Sequence, residues 1–331
     1  MVRIGVLGSR DSWYAKDLAR AAGDLSLDVS LQWLSFSDLQ VSLPTADSLA
    51  QALGVQSKAV EQSTLNADKA APRAIECLSE LDAVLVRTMP LGSLEQVIFR
   101  MDCLQALTRF GIQVVNPPRS LEVAIDKWLT QHRLHLAGIA TPPTIVCQTR
   151  DAALAAFEQL GGDVLIKPLF GGEGRGILRI QDADMAWRAF GTLQQLGQVM
   201  YVQQFLEHFG YDIRVLFVGS KLFSIKRIAR SDDWRTNLSH GSRAEPHVLS
   251  DAEREVAQRS AIAVGGSVLG IDLLPMRNGE MVVLEVNAVP GWRGLAATLG
   301  VDVAREVILH TSQLVNTKAD QNIDEACDEP Q

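Results

Sequence analysis

At 331 residues, 47% of them apolar and 21% charged, the chain has the composition of a globular protein with room for about two domains, and extensive disorder is excluded. A formal charge of −8, with no Lys/Arg block longer than two residues, argues against a general nucleic-acid binder while leaving room for one local basic pocket. Cys77, Cys103, Cys147 and Cys327 are widely spread, without CxxC or zinc spacing, and read as reduced thiols. Arg10 and Asp11 break the N-terminal apolar run too early for a signal peptide, and no apolar stretch reaches the roughly 18 residues of a membrane span. A cytoplasmic, non-membrane protein is therefore expected.

Val2 to Leu7 is a continuous β-prone run, followed by Gly8-Ser9 and a helical pattern from about Ser12, the opening of an α/β unit. Gly5 and Gly8 do not form a dinucleotide fingerprint. Further strands are expected at Val29 to Leu34, Ala83 to Val86 and Gln113 to Val115. Residues 42–72, rich in Ala, Ser and Gln without a period, read as an irregular or partly helical insertion. Ser93 and Gln96 form a capping box for a helix to Thr108, with Leu94, Val97, Ile98, Met101 and Leu104 as its apolar stripe. Pro117-Pro118 and Pro142-Pro143 bracket a helix that begins at the N-cap Asp126 and stops at Gly138, and the first domain boundary falls there. Taken alone, Lys127 reads as a solvent-facing lysine of the first turn.

Downstream, strands and helices are mixed rather than strictly alternating, which favours α+β with antiparallel pairs. Val164 to Lys167 is a strand that opens LIKPLFGGEGRGI, residues 165–177. Its glycines, Gly171, Gly172 and Gly174 among them, let backbone N–H groups approach an anion, and Lys167 and Arg175 supply charge. The bland alternative is a glycine-rich hairpin loop with an incidental arginine. Ile177 to Ile180 and Val199 to Gln203 are strands around a helix from Asp182 to Phe190. Tyr211 to Val218 and Lys221 to Ala229 form a hairpin over Gly219-Ser220. One face of that hairpin carries Asp212 and Arg214, and Lys226, Arg227, Arg230 and then Trp234-Arg235-Thr236-Asn237 follow. Such charge suits either an anion site or the solvated edge of a hairpin.

After a helix from Ser250 to Val264 comes IDLLPMRNGEMVVLEVN, residues 271–287. Asn278-Gly279 is a hairpin-turn signal, and with these two residues as the loop, Arg277 faces Glu280 and Asp272 faces Glu285. Asn287 shares the face of Glu285. Two opposed carboxylates repel unless a cation lies between them, and oxygen ligands suit Mg²⁺ or Mn²⁺; a solvated face with unrelated polar residues is the alternative. Pro275 could bulge this strand and shift the register. A helix from Asp302 to Val315 precedes an acidic tail expected to be disordered.

The order of these pieces is more specific than any one of them. Asp126-Lys127, Ile166-Lys167-Pro168, the glycine loop, Gln203-Gln204-Phe205-Leu206, Asp212-Ile213-Arg214, Trp234-Arg235-Thr236-Asn237, Asp272 and Glu285-Val286-Asn287 resemble the RimK-like glutamate ligases of the ATP-grasp superfamily. GSLEQVIFRMDCLQAL further resembles the tetrahydromethanopterin:glutamate ligase branch. The resemblance implies an N-terminal α/β domain (residues 1–125), a central ATP-grasp subdomain (126–200) and a C-terminal subdomain with the metal site (201–316), before a tail at 317–331. It implies that Lys127, Lys167, Gly171, Gly172 and Gly174 meet the phosphates of ATP. Gln204, where the family usually has Glu, and Phe205 would line the adenine, while Asp212, Arg235, Thr236 and Asn237 complete the nucleotide site. Asp272, Glu285 and Asn287 would hold Mg²⁺ or Mn²⁺, two ions in all. Arg214 and Arg227 would hold the transferring phosphoryl group or a substrate carboxylate, and Arg175 would sit in a closing loop. The implied reaction is amide formation through an acylphosphate, adding L-glutamate to an acidic acceptor such as a pterin. Glutamylation of a protein C-terminus and a non-catalytic nucleotide-binding regulatory module are the alternatives. No nucleic-acid or membrane partner is expected, and oligomeric state, a homo-oligomer included, is open.

Overall fold

The apolar run Val2–Leu7 forms β1, and its last four residues are buried because parallel neighbours flank it on both sides. The computed structural model describes residues 1–42, 54–58, 75–171, 174–231, 233–236 and 241–327. Contacts divide the chain into Met1–Arg119 with the segment from Val301 onward, and Ser120–Gly300. In the first unit, β1 leads through α1 (Trp13–Ala22), capped by Ser12, to β2 (Val29–Leu34). The short strands β3 (Gln40–Ser42), β4 (Gly54–Lys58) and β5 (Ile75–Cys77) pair antiparallel in a separate sheet. Within the stretch 42–72, expected to be irregular or partly helical, residues 54–58 form a strand held by pairing on both sides, a tertiary contact that leaves no period in an Ala- and Ser-rich sequence, while 43–53 and 59–72 lie outside the described residues. Next come β6 (Ala83–Val86), α2 (Leu94–Arg109) and β7 (Gln113–Val115), completing a parallel sheet of order β2-β1-β6-β7. The Ser93/Gln96 capping box is present, and α2 buries Met101, Cys103, Leu104 and Leu107 while Leu94 and Ile98 are exposed.

The second unit follows α3 (Pro118–Ile125) with α4 (Lys127–Leu136), which Asp126 caps by accepting the N–H groups of Trp128 (2.9 Å) and Leu129 (3.0 Å). β8 (Thr144–Cys147), α5 (Arg150–Gln159), β9 (Val164–Lys167), β10 (Leu178–Ile180), α6 (Ala183–Gln195) and β11 (Met200–Gln204) build an antiparallel sheet of order β10-β9-β11-β8. Ala153, Ala156 and Phe157 of α5 and Ala186 and Phe190 of α6 share a core with Val164, Ile166 and Val202 on one face, leaving Leu165, Lys167, Tyr201 and Gln203 on the other.

β12 (Tyr211–Val218), β13 (Lys221–Ile228), β14 (Arg243–Pro246), α7 (Asp251–Val264), β15 (Val268–Pro275), β16 (Met281–Asn287) and α8 (Arg293–Leu299) complete this unit around a sheet of order β14-β13-β12-β15-β16. At the β15–β16 turn the Met276 N–H donates to Glu280 O (2.8 Å), so the loop is Arg277-Asn278-Gly279 and Arg277 does not face Glu280. A bulge then pairs Leu273 with Val283 but Asp272 with Glu285, leaving Leu284 as the extra residue. The two one-residue changes cancel, and the expected Asp272–Glu285 pair stands.

The chain returns to the first unit with α9 (Val303–Cys327), whose Val303, Val307, Ile308 and Thr311 are buried along one face. α9 contacts α1, β6 and β7, and Arg20 holds Asp302 by two hydrogen bonds (2.9 and 2.7 Å). The final helix thus belongs with the N-terminal strands rather than with residues 201–316. It also runs past Val315 and corrects the expected disorder from 317, since residues 317–327 contain no Gly or Pro and include good helix formers.

Candidate functional site

Two cavities, of about 510 and 740 Å³, lie within the second unit and share Lys167, Gly174, Ile177, Leu284 and Glu285. One wall is the free face of the four-stranded sheet. Lys167 Nζ donates to Gln203 Oε1 (2.6 Å), and Gln203 Nε2 reaches Thr144 Oγ1 (3.0 Å) and the Tyr201 hydroxyl (3.2 Å). Loss of water pushes Lys167 down to about 8, with Glu285 pulling the other way and Lys127 adding to the depression. Lys127 is not solvent-facing. Its Nζ donates to Gly171 O (2.6 Å), its own pKa is lowered by burial against the pull of Glu285 and Asp126, and it lines the first cavity with Arg175.

The glycine loop is bounded by this contact. Gly171 and Gly174 adopt φ of 112° and 73°, and Gly176 combines φ 75° with a Cβ position only 2.9 Å from Pro168 Cγ, so a side chain there would meet both penalties. Gly172 and Asn237, expected in the nucleotide site, lie outside the described residues.

The second cavity has an aromatic end. Arg179 forms a two-point pair with Asp163 (2.8 and 2.6 Å) and stacks 3.5 Å from the centroid of Phe205, which meets Trp234 edge-on at 5.7 Å. The N–H groups of Gln204 and Phe205 donate to Pro143 O and Asp163 O, both at 2.9 Å, so main-chain contacts to a ligand from these residues fall to their carbonyls.

The opposite wall is one face of the five-stranded sheet, where cross-strand pairing aligns Arg227 with Asp212, Arg214 with Asp272, and Asp272 with Glu285. Asp212 is 1% exposed and fully engaged: it accepts from Arg227 Nε (2.8 Å), Arg227 Nη2 (2.5 Å) and Thr236 Oγ1 (2.7 Å). Arg227 also reaches Asp272 Oδ2 (2.9 Å); burial works against its charge, but Asp272 and Asp212 together raise its pKa further. Asp212 thus holds the Arg227 guanidinium by two hydrogen bonds while itself lining the second cavity. Arg214 donates to Asp272 Oδ2 (3.0 Å) and lines neither cavity. Its guanidinium crosses β15 over Gly270, where a Cβ would lie 2.5 Å from Nη1. Arg235 and Thr236 border the second cavity.

Among the described residues no group of three His, Cys, Asp or Glu side chains could hold a metal. The expected set is two carboxylates and an amide, and it fits a hard cation in part. Asp272 Oδ1 lies 2.5 Å from Arg214 Nε in an ion pair, whereas Glu285 has no hydrogen bond or ion pair among the described residues. Asn287 Oδ1 accepts the Val289 N–H (2.8 Å), leaving its second lone pair. Asp272 Oδ2 is taken by the two arginines.

Sequence reasoning did not assign Tyr201, Leu165, Ile177 or His208 to this site, although Tyr201 and Leu165 alternate with buried positions as their neighbours Lys167 and Gln203 do. The signal was the shared face; no turn residue fixed the β9–β11 register that reveals it.

Residues 124–310 match the RimK-like ATP-grasp domain, and the chain belongs to that family. It is an ATP-grasp ligase, an enzyme of carbon–nitrogen bond formation. A tetrahydromethanopterin:alpha-L-glutamate ligase of Methanosarcina acetivorans is 31% identical over 266 residues, covering 72% of this chain and 82% of its own. A probable alpha-L-glutamate ligase of Histophilus somni is 31% identical over 237 residues, covering 70% and 77%. Among solved structures, a RimK domain ATP-grasp protein from Sphaerobacter thermophilus has a TM-score of 0.67 at 22% identity, covering 93% of this chain and 98% of its own. No helix among the described residues is long and apolar enough to cross a membrane.

Proposed function

We propose that this ligase joins the amino group of L-glutamate to a carboxylate of an acidic small-molecule acceptor, of the tetrahydromethanopterin type, through an acylphosphate. One observation carries the reading: a single cleft combines two lysines, the buried Asp212–Arg227–Asp272 chain and an unengaged Glu285, in a chain 31% identical to relatives named as glutamate ligases.

The acceptor carboxylate oxygen attacks the γ-phosphorus of ATP, the bond to the β-phosphate oxygen breaks, and ADP leaves. The glutamate amine then attacks the acyl carbon, loses a proton, and expels phosphate. Lys127 and Lys167 neutralise phosphate charge, and backbone N–H groups of Gly171, Gly172 and Gly174 approach the same oxygens. Phe205 and Gln204 bound the adenine, with Arg235, Thr236 and Asn237 beside the nucleotide. Arg227, fixed by Asp212, holds the transferring phosphoryl group or a substrate carboxylate, and Arg214 supports it through Asp272. Arg175 acts in a loop that keeps water from the intermediate. Asp272, Glu285 and Asn287 would hold the divalent cation, Mg²⁺ or Mn²⁺, which when bound draws charge from the phosphates.

The test is ADP and phosphate release with glutamate and a panel of pterin carboxylates and peptide C-termini. One ADP per amide, with a pterin acceptor and glutamate both required, supports the reading; turnover only with peptides would replace the acceptor class.

A further inference from the structure

Helix α4 turns one face toward the first cavity. Lys127 and Gln131 are four residues apart and so share a face of the helix, and both line that cavity. Trp128 and His132, one position further round, stack on each other at 5.1 Å and are exposed. Thr130, also on the cavity wall, is committed to the fold, since its hydroxyl donates to Val123 O (2.6 Å).

The lysines beside Gln131 have acceptors: Lys127 Nζ reaches the Gly171 carbonyl and Lys167 Nζ the Gln203 side chain, each at 2.6 Å. Gln131 Nε2 differs, being buried with no hydrogen-bond partner among the described residues. A buried N–H left unmet loses its hydration without compensation, so an oxygen brought by a ligand would satisfy it. The surrounding charges favour an anionic oxygen. Lys127, Lys167 and Arg175 line this cavity together with Glu285, an excess of positive charge in a chain whose formal charge is −8. A neutral carboxamide there adds a directed donor without adding to the repulsion among the cations.

Position along the cleft narrows the assignment. The aromatic end, with Phe205 and Trp234, belongs to the second cavity, whereas Gln131 lines the first alone. A nucleotide whose base lies at the aromatic end passes the shared residues Lys167 and Glu285 before its chain reaches Gln131, so its outer phosphates arrive there.

We propose that Gln131 Nε2 donates to an oxygen of the β- or γ-phosphate of the bound nucleotide, adding a phosphate-binding residue to the two lysines and the glycine loop. The assignment rests on the nucleotide-binding reading of the cleft.

The full chain is titrated calorimetrically, in the presence of Mg²⁺, with AMP, ADP and the non-hydrolysable analogue AMPPNP. In Gln131→Leu the affinity for AMPPNP should fall about tenfold, the scale of one hydrogen bond to a charged group, while AMP binding is unchanged. ADP assigns the oxygen: a loss equal to that for AMPPNP places it on the β-phosphate, and an unchanged ADP affinity places it on the γ-phosphate. Gln131→Glu, nearly isosteric, should weaken AMPPNP more than Gln131→Leu does, because a carboxylate then faces the phosphates. Unchanged AMPPNP binding in either variant overturns the proposal, as do equal losses for all three nucleotides, the sign that Gln131 only packs the wall. Should Gln131→Leu fail to fold, Gln131→Glu decides by the same comparison of AMPPNP with AMP. Wild-type protein that binds none of the three would instead refute the nucleotide-binding reading of the cleft, and this assignment with it.

Discussion

Asp272 and Glu285 face each other across β15 and β16, yet only Asp272 is held in place: Arg214 and Arg227 both reach its carboxylate, while Glu285 makes no hydrogen bond or ion pair among the described residues and meets Lys167 and Lys127 only through its charge. The two acids should therefore fail differently. Glu285→Gln should abolish turnover and leave the unfolding midpoint near that of the wild type. Asp272→Asn should lower activity and also cost on the order of 3 kcal/mol of stability, because buried guanidinium charge loses its counter-charge. Denaturant unfolding of both variants separates the cases; equal stability losses would contradict the assignment.

Lys167 gives the site a proton linkage. Its pKa of about 8 lies below the ordinary lysine value of 10.5, so between those values the folded apoprotein binds fewer protons than the unfolded chain. This group's contribution to stability consequently rises with pH across that window and is least below pH 8. Phosphates placed beside Lys167 favour its charged form, so ATP binding near pH 8 should take up protons. Calorimetric titration in buffers of different ionisation heat should detect the uptake in wild type and lose it in Lys167→Met. In the same titrations Lys167→Ala should weaken ATP more than Lys127→Ala, because Lys167 is fixed at the end of β9 before Pro168, whereas Lys127 lies in the first turn of α4.

Gly270 offers a test of Arg214 without changing a charged group. A methyl there would lie 2.5 Å from Arg214 Nη1 and 3.0 Å from Pro290 Cβ. Gly270→Ala should displace the flexible guanidinium and lower kcat by about tenfold, one contact's worth of transition-state stabilisation, with only a small change in melting temperature. Unchanged kcat would remove Arg214 from the reaction.

The hairpin shows what the sequence made legible. Asn278-Gly279 marked the turn, and period-two alternation put Asp272, Glu285 and Asn287 on one face, as local chemistry can. The repulsion argument invoked a metal ion between the acids, whereas arginines from neighbouring strands already neutralise Asp272. That pairing depends on β12 lying between β13 and β15, an order no local signal encodes. Lys127 was misread in isolation for the same reason, its partner Gly171 being distant in sequence. The strands Ala83–Val86 and Val164–Lys167 were legible because buried, continuous apolar runs end at charged residues, and Val29–Leu34 because Val29, Leu31 and Trp33 alternate with the polar Ser30 and Gln32.

Arg175 lines the first cavity beside Lys127 and Gly174. If its loop excludes water, Arg175→Ala should lower amide formation and raise the number of ATP molecules hydrolysed per amide. An unchanged ratio would remove it from that role.

Transfer of ¹⁸O from the acceptor carboxylate tests the acylphosphate most directly. With wild-type enzyme, glutamate and labelled acceptor, one label should appear in the released phosphate for each amide formed, because the attacking oxygen leaves with the γ-phosphorus. Label in AMP, accompanied by pyrophosphate, would contradict the account.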